Sequence, residues 1–176
     1  MLSCRVGDDL ELRSLDETEA EVLFSLVDSN RQHLGEWLPW VDTNNTVTDS
    51  LEFIRSSAGR LACGVWHRGK MAGVIGFHEI EWVNRKASIG YWLAAAFQGR
   101  GIITGACRAV VEHAISTLGL NRLEILCAVE NTRSRAIPER LGFIEEGVLQ
   151  EALWLYDRYV DVAIYGLLAS EWKKGR

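Results

Sequence analysis

Proline is scarce in this chain, with 2 in 176 residues, Pro39 and Pro138. No internal repeat, low-complexity tract or Pro/Gly/Ser-rich linker interrupts it, so one domain over residues 1–176 is expected. Cysteine is also sparse: Cys4, Cys63, Cys107 and Cys127 form no CxxC pair, and His33, His67, His78 and His113 show no metal-ligand spacing. A disulfide or zinc framework is therefore not expected; the thiols read as reduced and the protein as cytoplasmic. No apolar run approaches the ~18 residues that a membrane span needs, and MLSCRVGDDLELRS lacks the apolar core of a secretion signal. Excess positive charge is missing too. The net charge of −5 excludes general nucleic-acid affinity and mildly favours a cationic substrate. With 48% hydrophobic and 24% charged residues, the composition is that of an ordinary globular domain.

The patterning is mixed. DLELRSL (9–15) alternates as a strand. Ser14 with Glu17 forms a capping-box pattern, and Ala20, Leu23, Phe24, Val27 and Leu34 follow at helical spacing, predicting one helix to about residue 34. Thr46 with Asp49 opens a second helix, with Leu51, Ile54, Ala58 and Leu61 on one face. Three strands follow as a meander, ACGVWH, MAGVIGFHEIEW and ASIGYWLA, turned by RGK and VNRK. A helix with Ile103, Cys107, Val110, Ala114 and Leu118 on its inner face stops at Gly119. The strand RLEILCAV (122–129), a short helix ended by Gly142, and strands near 143–151 and 158–167 complete the chain. The meander requires antiparallel pairs, and the strand–helix–strand segment through 85–129 requires a parallel one. The fold class is thus α/β (α+β), with a mixed, mostly antiparallel sheet of about six to seven strands and helices on both faces.

QGRGIITGA (98–106) joins the meander to its helix. It has no Gly-Lys-Ser/Thr, so it is not a P-loop, and Thr104 stands where a dinucleotide fingerprint wants its third glycine. What remains is a backbone cradle for an anion: consecutive N–H groups in a glycine-permitted loop, joined to a helix N-terminus, with Arg100 as an added cation. The alternative is a tight turn whose glycines serve only its geometry.

QGRGIITGAC after IGYWLA, with ENTRSRAIPERLGF downstream, resembles the GNAT superfamily of acetyltransferases. Over nearly the whole chain it is similar to the ribosomal-protein N-terminal (Rim-type) members. The resemblance implies a GNAT fold and acetyl-CoA as cosubstrate, with no metal. It also implies that the pyrophosphate sits on Gln98, Gly99, Arg100, Gly101, Ile102, Ile103, Thr104 and Gly105. Ile103 stands where the superfamily motif has Gly or Ala, which makes the cradle less open. The pantetheine would follow Tyr91, Trp92 and Leu93, with the Leu93 N–H facing the thioester oxygen as an oxyanion donor, and would take a hydrogen bond from Asn131. Asn131 also suits an N-cap. Ser134 would protonate the departing thiolate. Gly90 marks either close ligand approach or room for a neighbouring side chain.

Attack by an amine also needs a base. The residues offer His78 and Glu79 on opposite faces of FHEIEW, with Glu79 expected partly desolvated behind Phe77 and Ile75; Glu81 reads as a solvated position. Some Rim-type relatives carry a glutamate where this chain has Leu153. Glu151, two residues earlier, is expected on the same strand face but does not inherit that role. Cys127 reads as buried beside the cofactor, which gives no cysteine relay. In EWLPW, Trp37 and Trp40 offer an acceptor wall, a subunit contact or a hydrophobic staple; Trp66, Trp82, Trp92 and Trp154 read as core or interface. The acceptor implied is a protein N-terminal amine, with a polyamine, amino acid or aminoglycoside as the small-molecule alternative and a non-catalytic acyl-CoA-binding module as the other. A homodimer or higher homo-oligomer is expected, with neither a nucleic-acid nor a membrane partner.

Overall fold

The computed structural model describes residues 3–57 and 61–174. Its strands are β1 (Cys4–Arg5), β2 (Leu10–Ser14), β3 (Cys63–His67), β4 (Lys70–Glu81), β5 (Lys86–Leu93), β6 (Arg122–Ala128), β7 (Ile144–Leu155) and β8 (Arg158–Leu168). The helices are α1 (Ala20–Asp28), α2 (Arg31–Gly35), α3 (Val47–Ser57), α4 (Ile102–Ser116), α5 (Thr132–Arg140) and α6 (Ala169–Lys174). The strands hydrogen-bond in the order β1-β2-β3-β4-β5-β6-β8-β7. This mixed eight-stranded sheet exceeds the expected six to seven because the two-residue β1 pairs with β2. The contacts group into two compact units, Met1–Gly76 with Tyr91–Cys107, and Phe77–Gly90 with Arg108–Arg176.

In the first unit, Ala20, Leu23 and Ile54 pack on Met71 and Val74, and Val27, Leu34 and Val41 form a second cluster. Trp92 and, in the first cluster, Trp66 pack against these. The capping box is Asp16 with Glu19, not Ser14 with Glu17, because Ser14 is still held in the ladder opposite Cys63. The single helix expected to residue 34 is broken into α1 and α2. Ser29 Oγ donates to the Ser25 carbonyl at 2.7 Å and Asn30 Nδ2 to the Leu26 carbonyl at 2.8 Å, so side chains satisfy the last carbonyls and end α1. Thr46 and Asp49 do cap α3: the Asp49 carboxylate accepts the Thr46 N–H at 2.7 Å. Ile54 is buried and Leu61 half-buried, while Ala58 lies outside the described residues.

In the second unit, Leu123, Ile125 and Cys127 are buried as their alternation requires. The buried stripe of α4, a helix divided between the units, runs through Ile102, Ala106 and Cys107 of the first and Val110, Val111, Ala114 and Ile115 of the second. Ile103 and Leu118, expected on it, are only half-buried. Helix α4 ends at Ser116, so Leu118 lies past its last turn; Gly119 follows at φ 68° and the Leu120 N–H closes onto the Ala114 carbonyl at 3.0 Å. β7 is an edge strand paired only with β8 among the described residues. Its register slips twice: between Glu145 and Gly147, and between Leu149 and Leu153.

Candidate functional site

The glycine loop belongs to the first unit. A 3-10 turn over Ala95–Phe97 ends at Gln98, Gly99 and Gly101 take φ 71° and 72°, and α4 starts at Ile102. Those left-handed angles are why both positions are glycine: a Cβ at either would meet open space, so backbone conformation and not crowding demands them. The loop thus bends to present backbone at a helix N-terminus, as an anion cradle requires. Arg100 is exposed, while Ile103, Thr104 and Gly105 in the first turn of α4 are half-buried. Gly105 answers a different need, since a Cβ there would press on Leu10 Cδ2 at 3.0 Å. The Ala94 N–H donates to the Ala72 carbonyl of β4 at 2.8 Å. Strand alternation therefore points the Leu93 N–H to the edge of β5 away from β4.

In the second unit, β5 and β6 pair in parallel at Lys86 with Arg122, Ala87 with Leu123 and Ser88 with Glu124. No further rungs follow among the described residues, although both strands continue. Asn131 is the N-cap of α5, its side chain accepting the Ser134 N–H at 3.1 Å. Ser134 Oγ lies 3.1 Å from Cys127 Sγ, placing the candidate acid against the thiol at the end of β6. One residue on, Arg135 anchors the helix. It donates to the Tyr165 hydroxyl at 2.9 Å, the Val129 carbonyl at 3.1 Å and Glu145 at 2.8 Å. The Tyr165 hydroxyl in turn donates towards Glu139 and Glu145. Burial pushes Tyr165 up to about 12, with the Arg135 hydrogen bond opposing the shift and the two glutamates adding to it.

Among the base candidates, the ring of His78 lies over Gly90. A Cβ on Gly90 would overlap Nε2 and come within 2.6 Å of Cε1, so the glycine makes room for a neighbouring side chain. Glu79 is exposed, against the expected partial desolvation: burial along this face ends at Phe77. Glu81 pairs with Lys86 at 3.1 Å and clamps the β4–β5 turn. Gln150, Glu151 and Ala152 stand opposite the single residue Asp161. Glu151 sits at φ 49° with its N–H held by the Asp161 carboxylate at 2.8 Å, so the alternation that put it on the face of Leu153 does not hold through the bulge.

On the acceptor side, Trp37 is half-buried and Trp40, 37% exposed, leans on Trp92 with ring centroids 6.0 Å apart. Trp82 and Trp154 are exposed rather than core. The sequence reading missed Asn30, Arg31 and His33, which lie in no recognisable motif. His33 Nε2 and Gln98 Nε2 are 2.9 Å apart, and Asn30 Oδ1 accepts the Ala95 N–H at 3.0 Å.

Residues 9–144 match the family model described as the Acetyltransferase (GNAT) domain. The chain belongs to the GNAT acetyltransferase family. This acetyltransferase is 38% identical, over 98% of each chain, to YdaF of Bacillus subtilis (strain 168), whose name assigns it provisionally to the ribosomal N-acetyltransferases. It superposes with TM-score 0.90 on RimL, the ribosomal L7/L12 alpha-N-protein acetyltransferase solved with coenzyme A, at 31% identity over 95% of this chain and 98% of that one. With the microcin C7 self-immunity acetyltransferase MccE, solved with acetyl-CoA and AMP, it shares 34% identity and a TM-score of 0.88, covering 93% and 94%. It is thus an N-acetyltransferase with acetyl-CoA as cosubstrate. Among the described residues, no group of three or more His, Cys, Asp and Glu side chains could hold a metal ion, and no helix is long and apolar enough to cross a membrane. Among the described residues of the acetyltransferase no disulfide joins its four cysteines, and burial pushes the Cys63 thiol up to about 12. A shallow groove of about 490 Å³ runs along α1, lined by Glu21, Val22, Ser25, Leu26, Ser29 and Met71; it includes none of the candidate residues.

Proposed function

We propose that this enzyme acetylates the N-terminal amine of a ribosomal protein, by direct transfer from acetyl-CoA, in the cytoplasm. The observation that carries the reading is its near-full-length likeness to RimL and YdaF. The family match from residue 9 to residue 144 takes in parts of both compact units, which supports their working as one domain over residues 1–176. Gln98 to Gly105 take the pyrophosphate, supported by the left-handed glycines at the head of α4. Tyr91 to Leu93 take the pantetheine along the β5 edge, and the Leu93 N–H stabilises the oxyanion.

Asn131 positions α5 through its cap, and Ser134 gives the departing thiolate its proton; the close Cys127 thiol makes that spot polar and sulfur-lined. His78 takes the proton from the attacking amine. His78 and Glu79 are both exposed; the ring of His78 set against Gly90 is what supports it. Trp37 and Trp40 line the acceptor side. The enzyme works as a homodimer through β7, an edge strand that exposes Ile144, Val148, Leu149 and Trp154; such an edge invites a covering partner. The acceptor test is incubation with acetyl-CoA and dissociated ribosomal proteins, in parallel with spermidine and an aminoglycoside, read by mass spectrometry. Acetyl groups on protein N-termini are expected. Acetylation of the small amines alone would overturn the assignment.

A further inference from the structure

The corner between α1 and α2 grips both ends of the turn that feeds the glycine loop. At one end, Asn30 Oδ1 accepts the Ala95 N–H at 3.0 Å. The same side chain is fixed from behind, because its Nδ2 donates to the Leu26 carbonyl at 2.8 Å. At the other end, Gln98 Nε2 stands 2.9 Å from His33 Nε2, so the amide N–H donates to an unprotonated ring nitrogen. Asn30 sits at the N-cap position of α2 yet makes no capping bond to it; its oxygen is spent on the loop, 65 residues away in sequence. Between the two, Arg31 holds the corner itself, donating to the carbonyls of Val41 at 2.8 Å and Asn44 at 2.5 Å and pairing with Asp28 at 2.7 Å.

From this we infer that Asn30 and His33 are positioning residues for acetyl-CoA: they hold Ala95 and Gln98 so that the Gly99–Gly101 backbone is set for the pyrophosphate before the cosubstrate arrives. The inference rests on the assignment of that loop to acetyl-CoA. Its physical basis is preorganisation. A loop with two glycines has wide conformational freedom, and ordering it at the moment of binding would subtract from affinity. Arg31 ties the same corner to the carbonyls that follow Trp40, so one short helix fixes the cofactor loop and the EWLPW loop together.

The test is coenzyme A binding by calorimetry, with acetyl-CoA KM and kcat measured beside it. Asn30→Ala and His33→Ala each remove one hydrogen bond on the loop, and each is expected to weaken coenzyme A binding about 3- to 10-fold. The acetyl-CoA KM should rise by a similar factor while kcat at saturation holds. His33→Gln keeps an acceptor for the Gln98 amide and is expected to stay within about twofold of wild type; Ala95→Pro removes the Ala95 N–H while leaving Asn30 and its bond to Leu26 intact, and is expected to weaken binding as Asn30→Ala does. Gly101→Val serves as the loop control. If wild type binds coenzyme A and Gly101→Val weakens it, while the Ala variants bind as wild type, the positioning role is overturned and the loop assignment stands. If Gly101→Val binds as wild type, the loop assignment itself fails. Should an Ala variant not fold, the decision passes to its counterpart: weakening in His33→Gln as large as that expected for Ala, or Ala95→Pro binding as wild type, would also overturn the role.

Discussion

Gly90→Ala separates the two base candidates, and its effect can be worked from the structure. The new Cβ would overlap His78 Nε2 and approach Cε1 and Cδ2 to 2.6 and 2.9 Å, against ordinary contacts of 3.4–4 Å. The backbone of Gly90 is not left-handed, so alanine brings no strain of its own. The exposed His78 ring must instead retreat by about 1 Å, a displacement that can cost on the order of 100-fold when the group takes part in the chemistry. Stability should barely move. The off-rotamer cost of about 0.5–1.5 kcal/mol is offset by the roughly 0.5–1 kcal/mol that alanine recovers over glycine in a strand. The assay is release of the coenzyme A thiol at saturating acetyl-CoA with a ribosomal protein fraction as acceptor. It is run on Gly90→Ala, His78→Ala, the double variant and Glu79→Gln. If His78 is the base, Gly90→Ala loses about 100-fold in kcat, His78→Ala loses 10²–10⁴-fold, and the double variant loses no more than His78→Ala alone. Glu79→Gln should then stay near wild type. A folded Gly90→Ala or His78→Ala enzyme with kcat within twofold of wild type would refute the reasoning, and a large loss in Glu79→Gln alone would move the role to that carboxylate.

Ser134→Ala should lower kcat by about 10²–10⁴-fold, the usual worth of a positioned acid, with little change in melting temperature; an unchanged kcat would remove Ser134 from the chemistry. Tyr165→Phe should destabilise the protein by about 1–3 kcal/mol, because Arg135, Glu139 and Glu145 lose a shared partner. The folded-state value of Tyr165 is raised to about 12, so its contribution is present below the ordinary tyrosine range and is lost as pH rises through about 12. The difference in urea midpoint between wild type and Tyr165→Phe should therefore shrink between pH 10 and 12, and a constant difference would contradict the shift. Val148→Lys with Leu149→Glu, on the exposed edge, should convert the proposed dimer to monomer by light scattering without loss of fold; a monomeric wild type would sink the β7 interface.

Much of this architecture was legible in local pattern. The meander and the β6 alternation read correctly because side-chain periodicity is a property of neighbouring residues. The need for glycine at 99 and 101, the Asn131 cap and the Thr46–Asp49 cap are also local: each is a backbone requirement met within four residues. Where local reading failed, a competing contact had won. Ser14 was drawn into the ladder with Cys63 and left the cap to Asp16. Ser29 and Asn30 turned their side chains on the carbonyls of α1 and ended a helix whose apolar spacing continued to Leu34. The bulge opposite Asp161 removed the parity argument for Glu151.

By itself, then, the chain determined most of its strand and helix order, its glycine loop and its family, since these follow from spacing and motif. Tertiary structure alone decided which groups meet: His33 with Gln98 across 65 residues, Tyr165 with Arg135 across 30, Cys127 with Ser134, and His78 over Gly90. The reason is physical. Periodicity fixes which face a side chain takes, but its partner on that face depends on strand register and helix packing, and those are set by the sum of distant contacts.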